Sequence, residues 1–223
     1  MPKRIVYTRH PECAHNVDYE SALRKGIVNR DSPLTALGEL QCKITAAYLR
    51  HEFPVINAVF CSTYLRTRLM PIVAGFESML RVSALLDERN MGVWHTHPRA
   101  DVLQMHPGEE ERHKAAGYYA YEASGGESCI GVERRHTELL TSGVLGGSDD
   151  TVYISGHGIA GRCFRRVLTG ASVADWHSWE GLKNGSVTVY ERQGSVYVCT
   201  SYNLVPWEGM IDPALLKRKS VEA

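Results

Sequence analysis

Four short apolar runs, each ending in polar residues, constrain this chain more than any other feature. They are RIVYTRH (4–10), INAVFCS (56–62), RVSALLDE (81–88) and DTVYISGHG (150–158). Short β-branched runs bounded by turn residues read as buried strands. The stretches between them change period. Thr35 is placed to cap a helix in which Leu37, Leu40, Ile44, Ala47 and Tyr48 recur at helical spacing. Residues 63–80 read as a second helix disturbed near Pro71, and 127–145 and 159–170 as two more. Residues 185–202 read as a hairpin around Gln193-Gly194. Strands alternating with helices call for a mainly parallel sheet covered on both faces. Segment 93–126 breaks this rhythm: it is polar, rich in histidine and tyrosine, and weakly periodic, an excursion from the scaffold.

The chain has 223 residues, 43% hydrophobic and 22% charged, a composition that builds one core. No linker or repeat divides it, so one domain over 1–223 is expected. Formal net charge is zero, which lacks the basic footprint of a nucleic-acid binder. The terminal KRKS reads as a solvated end. No run approaches the roughly 20 apolar residues of a membrane span, and the first ten residues lack the apolar core of a secretory signal. The six cysteines are dispersed without a C-x-x-C pair. That argues against a disulfide framework or structural zinc and for a reducing cytoplasm. Nothing in the pattern assigns an oligomeric state.

In an open α/β sheet, ligands bind beyond the carboxyl ends of the strands. Three strands deliver chemistry there: Arg9-His10, Asp87-Glu88 and Gly156-His157-Gly158. The remaining strand leads through Ser62 to Arg66 in the first turn of its helix. Each residue alone reads as a turn or surface position, and their arrival at one edge is the signal. Arginine forks bind phosphate bidentately, and a helix N-terminus adds N–H donors. A neutral imidazole is a nucleophile toward phosphorus, and neighbouring arginines disfavour its protonation. A carboxylic acid can protonate the departing oxygen. The set points to phosphoryl transfer through a phosphohistidine, with no metal and no cofactor. His95 and His97, two apart and followed by His106 and His113, are of a type that ligates zinc, but no carboxylate or cysteine set completes them, and they read as polar lid residues.

The motifs extend along the chain. RHPECAHN resembles the R-H-G-E-x-x-x-N signature of the histidine phosphatase superfamily, the phosphoglycerate mutase-like family. DSPLTALGELQ, CSTYLRTR, LLDERNMGVW, GGESCIGVERR, YISGHG and NGSVTVYE resemble its later segments in order and spacing, from about residue 4 to 200. The resemblance implies a three-layer α/β/α sandwich with a lid at about 93–126. It implies that His10 is the nucleophile, that Arg9, Arg66 and His157 hold the phosphoryl group, and that Glu88 is the proton donor and then the base for water. Asn16 sits where the family contacts the phosphate pocket, and Gly158 is grouped with the substrate-binding positions. Four family positions differ: Pro11 stands for glycine, Cys13 for the usual serine or threonine, Thr63 for proline and Gly131 for aspartate.

DSPLT and GGES resemble the phosphatase branch, and no mutase insertion is recognisable. A metal-independent phosphomonoesterase of histidine acid type, acting on a small phosphorylated molecule, is therefore expected. A cofactor-dependent phosphoglycerate mutase and a non-catalytic binder of phosphorylated ligands are the alternatives. Within the lid, Arg99, the histidines and Tyr118, Tyr119 and Tyr121 are expected to meet the leaving group.

Overall fold

The computed structural model describes residues 1–147 and 150–212; the basic KRKS segment lies outside them. One sheet holds six strands: β1 (Arg4–Arg9), β2 (Ala58–Cys61), β3 (Leu80–Val82), β4 (Thr151–Gly156), β5 (Val187–Gln193) and β6 (Val196–Leu204). Their order is β3-β2-β4-β1-β5-β6. The first four strands run parallel, and β5 and β6 add an antiparallel edge.

Alternation along the strands produces two cores. Ile5, Tyr7, Phe60, Val152 and Ile154 face one side. They meet α7 (Cys129–Thr141) and α8 (Gly158–Thr169) through Leu139, Phe164 and Leu168. Val6, Val59 and Tyr153 face the other side. There they meet α3 (Ala36–Glu52) and α4 (Leu65–Val73) through Cys42, Leu49 and Met70. Because side chains alternate with period two, each central strand serves both layers. The three-layer expectation holds. Further helices fill the connections: α1 (Ala14–Val17), α2 (Tyr19–Arg24), α5 (Arg99–Met105), α6 (Glu109–Ala120) and α9 (Val173–Ser178).

Four details differ from the sequence reading. The third strand covers only 80–82, and 84–86 coil into a 3-10 turn, so Glu88 hangs from a loop. The helix expected over 63–80 is α4, ending at Val73 before Gly75, whose φ is +84°. The hairpin turns at Gly194-Ser195, one residue later than expected. The inward stripe of α3 is Gly38, Gln41, Cys42, Thr45, Ala46 and Leu49, not the expected leucine face, and Leu40 is exposed. The stripe departs from the apolar pattern because two of its members are polar. Gln41 Oε1 accepts from Glu12 N at 2.8 Å, and Thr45 Oγ1 donates to the Gly185 carbonyl at 2.9 Å.

Candidate active site

Strand register assembles the site. Arg9 at the end of β1 pairs with Gly156 at the end of β4, and Cys61 of β2 pairs with Ser155. The residues that follow, His10, Ser62 and His157, therefore emerge side by side. The rings of His10 and His157 are 5.3 Å apart, edge to face. Ser62 Oγ lies 2.7 Å from His157 Nε2. Arg66, in the first turn of α4, donates from Nε to His10 Nε2 at 3.1 Å. His10, Arg66 and His157 are buried.

The hydrogen bonds assign the His10 tautomer. Nδ1 lies 2.7 Å from the Pro11 carbonyl, which can only accept, so Nδ1 carries the hydrogen. Nε2 accepts from Arg66 and keeps the lone pair. Burial pushes the His10 pKa well below the ordinary histidine range, and the charges of Arg66 and Arg9 push it further; the Pro11 bond opposes them. Burial also lowers His157, with Arg66 next in importance. Arg9 Nε and His157 Nδ1 are buried and have no hydrogen-bond partner among the described residues. Arg9 is anchored instead by donation from Nη1 to the Leu182 carbonyl.

Three motif residues hold the loop after His10. Thr35 N donates to the Glu12 carbonyl at 3.1 Å, and Thr35 Oγ1 donates to Glu12 Oε1 at 3.0 Å. Gln41 takes the Glu12 N–H. Gly38 lets α3 approach: a Cβ there would stand 1.9 Å from the Glu12 carbonyl oxygen. His157 has its own clamp. The Tyr7 hydroxyl accepts from His157 N at 2.8 Å and donates to the His157 carbonyl at 3.0 Å. Sequence reasoning missed Tyr7, which reads as an ordinary strand apolar residue. It also passed over Asn184, although the N-x-S-V-T motif contains it. Asn184 Nδ2 donates to the His10 carbonyl and to Asn16 Oδ1, both at 3.1 Å. Asn16 Oδ1 further accepts from Cys13 N at 3.1 Å, so the carbonyl end of Asn16 braces the loop.

Glu88 sits against the start of α8. Its Oε2 accepts from Gly158 N at 3.1 Å and Ile159 N at 3.2 Å, and Oε1 accepts from Ala160 N and Arg89 N at 2.8 Å. Gly158 is expected to bind substrate, and its N–H is committed to Glu88. Asp87 is fixed by Thr63, whose N and Oγ1 each donate at 2.8 Å. Proline at position 63 could not supply that N–H.

Glu88, Asn29 and Tyr64 border a cavity of about 750 Å³. Asn29 accepts from Arg66 Nη1 at 2.6 Å, and the Tyr64 ring lies 4.9 Å from that of His157, so the cavity adjoins the buried cluster. Two segments wall it: residues 23–30, which sequence reasoning did not single out, and 84–96, which includes His95. The expected lid contacts are corrected. Tyr121 is buried with its hydroxyl on Glu109, Tyr119 packs on Trp176, and Tyr118 stacks on Trp176. Arg99 pairs with Glu110 on the surface. Tyr118 and Tyr119 thus fasten the short lid helices onto α9, because helices of this length do not stand alone. Of the lid histidines only His95 reaches the cavity wall; His97 pairs with Thr96 Oγ1 at 2.9 Å. Among the described residues no group of three or more His, Cys, Asp or Glu is arranged to hold a metal ion.

A sequence profile of the histidine phosphatase superfamily (branch 1) matches residues 5–205. Among solved structures, the chain is similar to a mycobacterial glucosyl-3-phosphoglycerate phosphatase in complex with VO3. Identity is 23%, with 91% of this chain and 99% of that one covered, and the TM-score is 0.72. YhfR of Bacillus stearothermophilus is 24% identical, with 92% and 98% covered and a TM-score of 0.72. A putative alpha-ribazole-5'-P phosphatase of Escherichia coli is 16% identical over 92% and 98%, with a TM-score of 0.74. No curated protein matches the chain. The solved structures share the fold, and the profile spans His10, Arg66, Glu88 and His157 alike: the chain belongs to the histidine phosphatase superfamily.

Proposed function

We propose that the chain is a metal-independent phosphomonoesterase that moves the phosphoryl group of a small substrate to His10 Nε2 and then to water. One observation carries this reading: a buried imidazole whose hydrogen is held on Nδ1 presents its lone pair to an arginine at 3.1 Å. That is a nucleophile already in its reactive tautomer beside a phosphate clamp. When substrate arrives, Arg66 exchanges its bond to His10 for a phosphoryl oxygen. Arg9 Nε and His157 Nδ1 supply the neighbouring donors. Ser62 can donate to His157 Nε2, which leaves the His157 hydrogen on Nδ1, toward the phosphoryl group.

Glu88 delivers a proton to the leaving oxygen, and its carboxylate then takes one from the attacking water. Its place at the cavity border supports that role. The low proton affinity of His10 keeps it nucleophilic on the acid side of neutrality, which supports the acid-type reading. A single sheet carrying all six strands supports reading 1–223 as one unit. Hydrolysis of p-nitrophenyl phosphate by the purified protein, and its loss in His10→Ala, tests the proposal. Undiminished turnover in His10→Ala would refute it.

A further inference from the structure

The charge of the cavity points to a class of leaving group. Three carboxylic acids line it, Asp87, Glu88 and Glu127, against two guanidiniums, Arg30 and Arg135. Both cations are engaged. Arg135 holds Glu127 through Nη2 at 3.0 Å and Nε at 3.2 Å and also donates to the Leu85 carbonyl at 2.7 Å. Arg30 lies 3.4 Å from Asp87 and 5.5 Å from the Tyr64 ring. His95 adds no charge near neutrality, because burial brings its pKa to about 4. Leu23, Ile27 and Val28 add an apolar wall to the lining. A cavity of about 750 Å³ is larger than a three-carbon ester fills, within the range of sites for drug-sized ligands.

We propose that this site, on the phosphatase reading above, selects phosphomonoesters with an uncharged, hydroxyl-bearing leaving group of sugar or nucleoside size, and discriminates against leaving groups that carry a carboxylate. A carboxylate entering the cavity would meet Asp87 and Glu127, and the cations that line it, Arg30 and Arg135, are already partly neutralised by those acids. Like charges brought together in a partly dry site are repelled. A hydroxyl faces no such penalty, and the acids serve it as acceptors. The apolar wall gives a ring face area to cover.

Matched pairs test this, read as kcat/KM: glucitol 6-phosphate against 6-phosphogluconate, and glycerol 3-phosphate against 3-phosphoglycerate. The members of each pair differ chiefly by a hydroxyl-bearing carbon or a carboxylate. The uncharged member is expected to lead by about tenfold or more in both pairs, and glucitol 6-phosphate to exceed glycerol 3-phosphate. Asp87→Asn, and independently Glu127→Gln, should narrow the preference by releasing Arg30 or Arg135. Two variants are used because Asp87 is braced by Thr63 and its replacement can disturb folding. Equal or reversed preference with active enzyme on p-nitrophenyl phosphate would overturn the selectivity while leaving the phosphatase reading in place. A preference unaltered in both variants would overturn its electrostatic cause. Absence of hydrolysis of every ester, p-nitrophenyl phosphate included, would sink both readings.

Discussion

His10 accepts a hydrogen bond from Arg66 Nε through Nε2 at 3.1 Å and donates one to the Pro11 carbonyl through Nδ1 at 2.7 Å. The second bond explains how proline is accommodated where the family has glycine. Here His10 uses the carbonyl of position 11 rather than its N–H, and a proline keeps that carbonyl while fixing φ. The departure at Thr63 is likewise compensated, since its N–H and hydroxyl brace Asp87.

Acid should destabilise the fold at a pH set by buried histidines. His10, His157 and His136 are all lowered well below the ordinary range, with burial the largest cause for each. Above the unfolded value of about 6.5 both states are neutral and stability is full. As pH falls through 6.5 the unfolded chain takes up protons that the folded state refuses, and stability is lost at up to ~1.4 kcal/mol per pH unit per histidine. Thermal midpoints measured from pH 7.5 to 5 should fall. His136, which packs against Phe164 and has no hydrogen-bond partner on either ring nitrogen among the described residues, serves as the internal control: His136→Leu should flatten the slope. A flat profile for the native chain would contradict the buried-neutral assignment.

The grip on Glu12 should be steep in energy. Gly38→Ala puts a methyl 1.9 Å from a backbone oxygen, so α3 or the loop carrying His10 must shift. A loss of about 2 kcal/mol or more is expected, with reduced kcat in whatever folds. Gln41→Ala leaves the buried Glu12 N–H without its acceptor and should cost about 1–3 kcal/mol. Denaturant midpoints and kcat on one preparation check both; a neutral Gly38→Ala would show that the close approach is not needed.

Much of this was legible in the sequence, for a physical reason. Strand ends and turn residues are local features, and the polar residues at the ends of β1 and β4 and in the first turn of α4 announced the edge where they meet. The phase of α3 was hidden because its inward polar residues, Gln41 and Thr45, bond to backbone that is distant in sequence. Tyr7 was hidden for the converse reason: an apolar-looking strand residue spends its hydroxyl on His157, 150 positions away. In the lid, composition suggested ligand contacts, whereas Tyr119 is buried against α7, α8 and α9 and Tyr121 spends its hydroxyl on Glu109. Segment 23–30 carries no strong motif, and only the fold brings it to the cavity.

Glu88→Gln should separate substrates by leaving group. A poor leaving group such as a sugar alcohol needs the proton, so its kcat/KM should drop about 10²–10⁴-fold. Nitrophenolate departs without one and should lose far less. The amide also turns an N–H toward the Gly158, Ile159 or Ala160 N–H groups, so a modest loss of thermal stability should accompany it. Equal losses on both substrates would assign Glu88 to bracing the start of α8 instead.

Activity should survive chelators. Arg9 and Arg66 supply the positive charge and Glu88 the proton, so the proposed steps leave no task for a divalent ion. Turnover in EDTA should match that in buffer; loss reversed by zinc or magnesium would revive a metal role for the lid histidines.

The most direct test of the central claim is to trap the phosphoryl enzyme. Rapid quenching after mixing with a ³²P-labelled monoester should leave label that is acid-labile and base-stable, on the peptide containing His10, and absent in His10→Ala. Label on Cys13, or turnover with no protein-bound phosphate at any quench time, would contradict the account.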